Sequence, residues 1–203
     1  VVDVGSTTAD LVPVVEGSVA AVGRNDPERL LAGELVYTGV RRSPVCAVTA
    51  TLPWKGQPCP TAQEVFATTL DAYLILGDLP EDEQDRQTAD GRPATRHWAR
   101  DRLARSICAD RDLFDDDDAK AAAQAIETAQ VARLGIAARG VLRRLTDPPQ
   151  AIVLSGSGEF PAARAMQRMR LNATVVSLSE KLGPQVSSAA AAWAVARLAS
   201  TAP

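Results

Sequence analysis

The opening segment constrains the fold most, because an apolar, β-branched run ends in a glycine and small hydroxyl side chains before an apolar run resumes. The chain begins VVDVG, continues STTAD and then returns to LVPVV. This pattern is typical of two strands joined by a short polar turn. We therefore predict a β-hairpin, with further strand after it, whose turn lies at the end of a buried strand.

The predicted hairpin turn carries groups that suit an anion. A glycine adds no Cβ, so backbone N–H groups and neighbouring hydroxyls can approach a phosphate closely. Asp3 and Asp10 flank the turn, where carboxylates hold a divalent cation or orient a nucleophile. An ordinary hairpin whose turn faces water remains the alternative. The predicted phosphate-binding residues are Gly5, Ser6, Thr7 and Thr8.

A second glycine-containing turn follows a buried strand near the other end of the chain. The sequence AIVLSGSGEF changes from an apolar run to a turn, and PAARAMQRMR then predicts a helix whose N-terminus offers unpaired N–H donors. Pro161 stands where a dinucleotide fingerprint needs glycine, and no lysine follows as in a Walker A loop. A plain strand-to-helix turn is an equally good interpretation. The predicted nucleotide-binding or substrate-binding residues here are Gly156, Ser157 and Gly158.

Between the two turns the sequence is mainly helical. Helices are predicted from residue 61 and around residues 97–109, with an exposed loop over 78–96. The run Asp115–Asp118 is interpreted as the capped start of a long helix, although four aspartates could also bind a divalent metal. TVVSL predicts a late strand, and the alanine-rich segment 185–198 predicts a well-packed final helix.

Composition argues against several functional classes, although nucleic acid or a membrane could still bind through a local patch. A net charge of −3 and a pI near 5.3 give no field that would gather nucleic acid or an anionic membrane. No apolar run approaches the roughly 20 residues that cross a bilayer. The three cysteines are irregularly spaced, which favours free thiols and a cytoplasmic location, and His97 is the only histidine. A multi-histidine metal site is therefore excluded.

The two turns, at opposite ends of one chain, resemble the phosphate and adenosine motifs of the superfamily that joins actin, sugar kinases and heat-shock ATPases. Within it, the segments GELVYTGVRRSPV, EVFATTLDAYLILG, TADGRPAT and SEKLGPQVSSAAAAWAVA resemble the hydantoinase/oxoprolinase branch. More narrowly, they resemble proteins of tetrahydromethanopterin-linked one-carbon transfer, similar to methanofuran-precursor synthases. The resemblance covers almost the whole chain.

The resemblance implies an α/β fold: an actin-like (ribonuclease H-like) ATPase lobe with a mixed sheet, flanking helices and a mostly helical insertion. We expect the lobe to comprise residues 1–60 and 147–203 and the insertion residues 61–146. A first lobe with its own phosphate motif should precede Val1. The glycine turn at 156–158 is expected on the far side of the cleft from the hairpin.

The resemblance also implies a transferase that joins a furan-methyl diphosphate to the phenol of glutamyl-tyramine and releases pyrophosphate. That chemistry requires an anion cradle, Mg²⁺ and a base. Asp3 and Asp10 are the predicted catalytic and metal-binding acids. The partners are then a phosphorylated small molecule and the first lobe, in a monomer or homodimer. Further predicted substrate contacts form a charged and aromatic cluster between two glycines, although each could equally be structural; they are Glu34, Tyr37 and Thr38.

Three other functions remain open at this stage. An ATP-dependent amidohydrolase of the hydantoinase or oxoprolinase type would use the same motifs for ATP. A nucleotide-responsive binding module would use them without turnover, and a purely structural α/β domain would not use them. The sequence also leaves the general base unassigned, because Glu64, Asp71 and Glu159 are equivalent candidates.

Overall fold

The computed structural model describes residues 1–201 and divides the chain into two units. The first comprises Val1–Tyr37 and the chain from Arg133 on, and the second comprises Thr38–Ala132. The elements in chain order are β1 (Val2–Val4), β2 (Ala9–Leu11), β3 (Val14–Val15), β4 (Ser18–Val19), α1 (Asp26–Ala32), β5 (Leu35–Val36), α2 (Val45–Val48), β6 (Thr51–Trp54), β7 (Gln57–Pro60), α3 (Thr69–Leu76), α4 (Arg96–Arg105), α5 (Asp116–Leu142), β8 (Ala151–Ser155), α6 (Glu159–Met169), β9 (Thr174–Ser177), α7 (Leu178–Leu182), α8 (Pro184–Ser188) and α9 (Ala190–Thr201).

The first unit is built on a mixed five-stranded sheet in the order β5-β2-β1-β8-β9. Strand β2 is antiparallel to both of its neighbours, whereas β1, β8 and β9 are parallel to one another. Val2 and Val4 are buried on one face of β1, so Asp3 projects from the opposite face. The predicted opening hairpin and the mixed α/β sheet with flanking helices are therefore confirmed.

The second unit has its own apolar core. Leu52 of the β6–β7 hairpin packs in one cluster with Leu103, Phe114 and Ile126, all of which are fully buried. Because this hairpin and α2 bury their apolar side chains against helices, they belong to the mainly helical unit. The boundaries of the units therefore differ from the expected ones, lying at 37/38 and 132/133 instead of 60/61 and 146/147.

Helix ends follow local capping. The backbone N–H of Asp118 donates to Asp115 Oδ1 at 2.9 Å, which confirms the capping role expected of this acidic run. Helix α3 begins at Thr69 and not near residue 61, because Thr68 and Asp71 form a capping box that fixes its start. The seven-residue helix α1 was not predicted; Asn25 caps it and Pro27 lies in its first turn.

The final helical segment differs from the prediction in two ways. Ala189 separates α8 from α9, so the single helix predicted over 185–198 is interrupted. Helix α9 is also exposed and not well packed: Val195 and Leu198 are 67% and 71% accessible. Alanine favours helix formation whether or not the helix is covered, so composition predicted the helix but not its packing. Within residues 1–201, no helix is both long and apolar enough to cross a membrane.

Candidate functional site

The opening hairpin brings two carboxylates to one face of the sheet. Asp3 on β1 and Asp10 on β2 are directly opposite each other in an antiparallel pair, so their side chains share a face. The turn between the strands is closed by the Gly5 N–H, which donates to the Thr8 carbonyl at 2.9 Å. Ser6 Oγ and Thr7 Oγ1 lie 3.3 Å apart in that turn. Two of the predicted phosphate-binding hydroxyls, those of Ser6 and Thr7, therefore lie together just after β1.

The glycine turn adjoins this hairpin. Strand β8 runs parallel to β1 and places Ser155 opposite Asp3, so the turn after β8 and the hairpin turn leave the sheet at the same edge. The Gly158 N–H donates to the Val4 carbonyl at 2.7 Å. The two predicted motifs thus lie on neighbouring strands, and the turn at 156–158 is not separated from the hairpin by a cleft as the resemblance implied.

Gly156 is required at this junction by both its conformation and its surroundings. Its φ of +90° belongs to a region that L side chains rarely adopt. A Cβ built on it would lie 2.5 Å from Asp3 Oδ1 and closer still to the Val4 carbonyl oxygen. Only glycine lets the β8 turn approach the carboxylate this closely. The neighbouring Ser157 is exposed and Gly158 is buried.

Negative charge accumulates around Asp3. Burial raises the pKa of Asp3, and the carboxylates of Asp10 and Glu159 raise it further, against a hydrogen bond with Ser155 that lowers it. Asp10 is partly neutralised by Arg29, whose Nη2 lies 2.5 Å from Asp10 Oδ1. A position near several carboxylates favours a cation. Mg²⁺ commonly binds to one or two carboxylates together with water and phosphate oxygens.

Asp3 and Asp10 alone do not provide a complete set of protein ligands for a metal ion. Across the described part of the chain, no group of three or more His, Cys, Asp or Glu side chains is arranged to hold an ion. The metal-binding role of Asp3 and Asp10 therefore stays a prediction, and Mg²⁺ is the ion that could use two carboxylates together with water and phosphate oxygens.

Glu159, at the start of α6, organises the surroundings of the glycine turn. It accepts hydrogen bonds from the Ser179 N–H at 2.8 Å, from Ser177 Oγ at 2.5 Å and from Ser187 Oγ. The Ser187 carbonyl in turn accepts from the Gly156 N–H at 3.0 Å. These contacts make Glu159 the acceptor that joins β9, α7 and α8 to the turn.

The other two candidate bases lie elsewhere. Glu64 is exposed in the second unit. Asp71 is fully buried and ion-paired with Arg102, so it is not equivalent to the two other candidates. Of the three acids that the sequence left equivalent, Glu159 alone is adjacent to the glycine turn in sequence and in its hydrogen bonds.

Three predicted substrate contacts do not form a cluster. Glu34 is fully buried and accepts from the Val22 and Gly23 N–H groups and from Arg144. Burial opposes its ionisation, but these hydrogen bonds hold the pKa of Glu34 below its ordinary value. Tyr37 is 68% exposed, whereas Thr38 is buried in the second unit. Glu34 is thus an internal anchor of its unit.

Sequence reasoning did not identify Arg29 or Ser187, although both contact the site. Arg29 lies on α1, and the sequence NDP before it is a recognisable N-cap and first-turn signal that would have placed a helix there. Ser187 has no comparable local signal. Its contacts with Glu159 and Gly156 depend on how α8 packs after the last strand.

Comparison with known proteins identifies the relatives of this chain. The family model described as hydantoinase/oxoprolinase matches residues 1–201. A protein of Methanocaldococcus jannaschii named (4-{4-[2-(gamma-L-glutamylamino)ethyl]phenoxymethyl}furan-2-yl)methanamine synthase is 31% identical over 199 residues, which are 97% of this chain and 58% of that protein. The protein of the same name from Methanococcus vannielii is 34% identical over 117 residues, 58% of this chain and 52% of that protein.

The alignments leave a large part of both relatives unmatched, because the chain spans little more than half of their length. The match to the family model, in contrast, extends over nearly the whole chain and includes the hairpin turn, the helical unit and the glycine turn. Together with the opening motif and the second turn, this match shows that the chain belongs to the hydantoinase/oxoprolinase family.

Proposed function

We propose that this chain is an actin-like, phosphate-binding lobe of a transferase in methanofuran biosynthesis. The observation that carries the proposal is the junction of β1 and β8, where the hydroxyl-rich hairpin turn and the glycine turn meet beside Asp3. If the five strands of this sheet are numbered by their order along the chain, they lie side by side in the order 3-2-1-4-5. Only the second of them, β2, is antiparallel to the others. This order supports the actin-like assignment.

The names of the relatives indicate the bond that such an enzyme would form. Their product contains a phenoxymethylfuran, which is an ether between a phenol oxygen and a furan-methyl carbon. In the proposed reaction the phenol oxygen bonds to that carbon as the carbon–oxygen bond to a diphosphate breaks. Pyrophosphate leaves with the bonding electrons, and the phenolic proton passes to a base.

The residues at the junction would bind the departing diphosphate. Backbone N–H groups and the hydroxyls of Ser6, Thr7 and Thr8 would donate to its oxygens, which carry more charge as the bond breaks. Asp3 and Asp10 would hold Mg²⁺ through water or directly. The bound Mg²⁺ would neutralise the developing charge of the leaving group. Glu159 would keep the glycine turn in place during this step.

Calorimetric titration of pyrophosphate and of ATP, each with and without Mg²⁺, tests the proposal on the longest natural protein that contains this chain. The synthase function is expected to give Mg²⁺-dependent binding of pyrophosphate and no binding of ATP. Tight ATP binding would favour the second candidate, an ATP-dependent amidohydrolase of the same family, for which the matching family model is the supporting observation. If neither ligand binds, a phosphate site is excluded.

Asp3→Asn is expected to leave the fold as stable as before or more stable at pH 7, while weakening Mg²⁺-dependent pyrophosphate binding at least tenfold. Because the pKa of Asp3 is raised, its contribution to stability is fully present below the ordinary aspartate pKa and is lost as the pH rises through the raised value. Removing the charge should therefore increase the free energy of unfolding at pH 7, and by less at pH 3.

Urea denaturation at the two pH values and calorimetry at pH 7 measure these effects. Asp147→Asn is the matched control, since Asp147 is exposed in the same unit. The control should change neither quantity. A large loss of stability in Asp3→Asn would contradict a functional role for this acid, because a structural carboxylate stabilises the fold and does not strain it.

A further inference from the structure

A second feature of the molecule, which we call the arginine loop, comprises residues 38–43 of the helical unit. Both ends of the loop are buried, and only its middle reaches the surface. The buried residues are Thr38, Gly39, Val40 and Ser43. The two residues at its tip are arginines, of which Arg41 is partly buried and Arg42 is exposed. The loop therefore presents two adjacent guanidinium groups from a buried base.

Buried side chains fix this base through one carbonyl. The Gly39 carbonyl accepts from Gln130 Nε2 at 2.8 Å, from Thr69 Oγ1 at 2.7 Å and from Ser43 Oγ at 3.3 Å. The Gln130 amide also donates to Thr38 Oγ1 at 2.8 Å. Burying so many polar groups is costly unless each is satisfied, and a fully satisfied network holds its members in one arrangement.

The main chain adds a second restraint at the exit of the loop. The Thr69 N–H donates to the Ser43 carbonyl and the Val45 N–H donates to the Ala67 carbonyl, each at 2.9 Å. These bonds attach the loop to the capped start of α3. Both ends of the loop are thus held by hydrogen bonds, which leaves the conformation of its tip little freedom.

The charges at the tip are unequally compensated. Arg41 is ion-paired with Asp85 on the long loop that follows α3. Arg42, within residues 1–201, has neither an ion pair nor a side-chain hydrogen bond. A planar guanidinium group is well suited to carboxylate or phosphate oxygens, because its N–H donors match the geometry of those oxygens, and the hydrogen-bonded backbone of the loop fixes where the Arg42 side chain begins.

We propose that the arginine loop is a binding site for an oxyanion, a carboxylate or a phosphate carried by a small-molecule ligand, in which Arg42 makes the direct contact. Arg41 lies beside it in the sequence and is held by its ion pair with Asp85. The site lies wholly within the second unit. It does not depend on the diphosphate chemistry proposed for the β1–β8 junction.

Nuclear magnetic resonance titration of the ¹⁵N-labelled chain, in EDTA, with potassium phosphate and separately with L-glutamate tests this site. Saturable shifts of the amides of residues 39–43 and of Arg42 Nε are expected with at least one probe, and the probe that saturates first identifies the oxyanion class. Shifts at residues 5–8 report on the hairpin turn independently. The absence of saturable shifts at residues 39–43 with both probes would overturn the proposal.

Arg42→Ala is expected to weaken this binding about tenfold, the loss that one charge-assisted hydrogen-bonded contact produces. Arg105→Ala is the matched control, because Arg105 is an exposed arginine of the same unit that lies outside the arginine loop and the segment holding its partner Asp85. It should change the dissociation constant less than about twofold. Equal effects of the two substitutions would show that only general surface charge attracts the probes, and would contradict a site at the loop.

The buried network provides a test that leaves both arginines in place. Gln130→Met, of similar volume, removes two donors to the loop and is expected to weaken binding severalfold without changing net charge. Thr38→Val removes one of these hydrogen bonds. It replaces Gln130→Met in the test if the spectrum of Gln130→Met shows that this variant does not fold. Unchanged affinity in the folded variant would show that the network does not orient the arginines.

Discussion

Gly156→Ala is expected to lower the free energy of unfolding by about 3 kcal/mol and to abolish Mg²⁺-dependent pyrophosphate binding. The φ of +90° alone costs an L residue about 1 kcal/mol or more. The new methyl group would also lie within 2.5 Å of Asp3 Oδ1 and against the Val4 carbonyl. Such overpacking adds about 2 kcal/mol, because a main-chain oxygen cannot move aside as a flexible side chain can.

Gly17→Ala separates the two contributions. Gly17 has a φ of +78°, but nothing lies within 4 Å of the position its Cβ would take. This substitution should therefore cost about 1 kcal/mol, the backbone part alone, and leave ligand binding unchanged. Urea denaturation and calorimetry on the two variants measure the difference. Equal losses of stability would mean that the contact of Gly156 with β1 is not tight.

The opening hairpin was predictable because its determinants are local. Alternating apolar residues and a short turn specify both strands, and the length of that turn sets Asp3 opposite Asp10. The acidic start of α5 was predictable for the same reason, since Asp115 caps a residue only three positions away. In each case the interacting residues lie within one turn or one hairpin.

Features that depend on distant residues could not be predicted. Glu34 stands in a segment that resembles a loop between glycines, and its partner Arg144 lies 110 positions further along the chain. Its burial therefore depends on tertiary packing that no local pattern encodes. The contact between Gly158 and Val4 is similar, because strand order, and not the sequence of either turn, makes β8 the neighbour of β1.

The unit boundaries show the same limit. Residues 38–60 consist of short apolar runs broken by prolines and glycines, like the strands that precede them. The expected boundary at 60/61 therefore placed this segment with the sheet. Its apolar side chains, however, pack against Phe114 and Ile126, so the second unit begins at Thr38. Only the identity of the packing partner distinguishes the two assignments.

Arg102→Met is expected to lower the free energy of unfolding by about 3 to 5 kcal/mol at pH 8, the usual cost of removing one partner of a buried ion pair. The Arg102 side chain is inaccessible to solvent and lies 2.7 Å from Asp71 Oδ1 and 3.0 Å from Asp90 Oδ1. Methionine fills much of the volume but leaves the buried Asp71 carboxylate unpaired. Urea denaturation at pH 8 and at pH 5 measures the loss.

The loss should be smaller at pH 5, and the pKa of Asp71 gives the reason. Burial raises that pKa from 3.8 to about 6 even with Arg102 present, and Arg102 acts to lower it. The contribution of this group to stability is therefore fully present below pH 3.8 and is lost as the pH rises through 6. Without Arg102 the pKa of Asp71 should rise further, so that at pH 5 Asp71 is neutral and needs no partner.

Arg92→Met is the matched control. Arg92 is 39% exposed and lies 3.6 Å from Asp90, so its removal should cost about 1 kcal/mol or less at both pH values. A loss in Arg102→Met that is equally large at pH 5 would mean that Arg102 stabilises the unit through its packing and its bond to Asp90, and not by compensating Asp71.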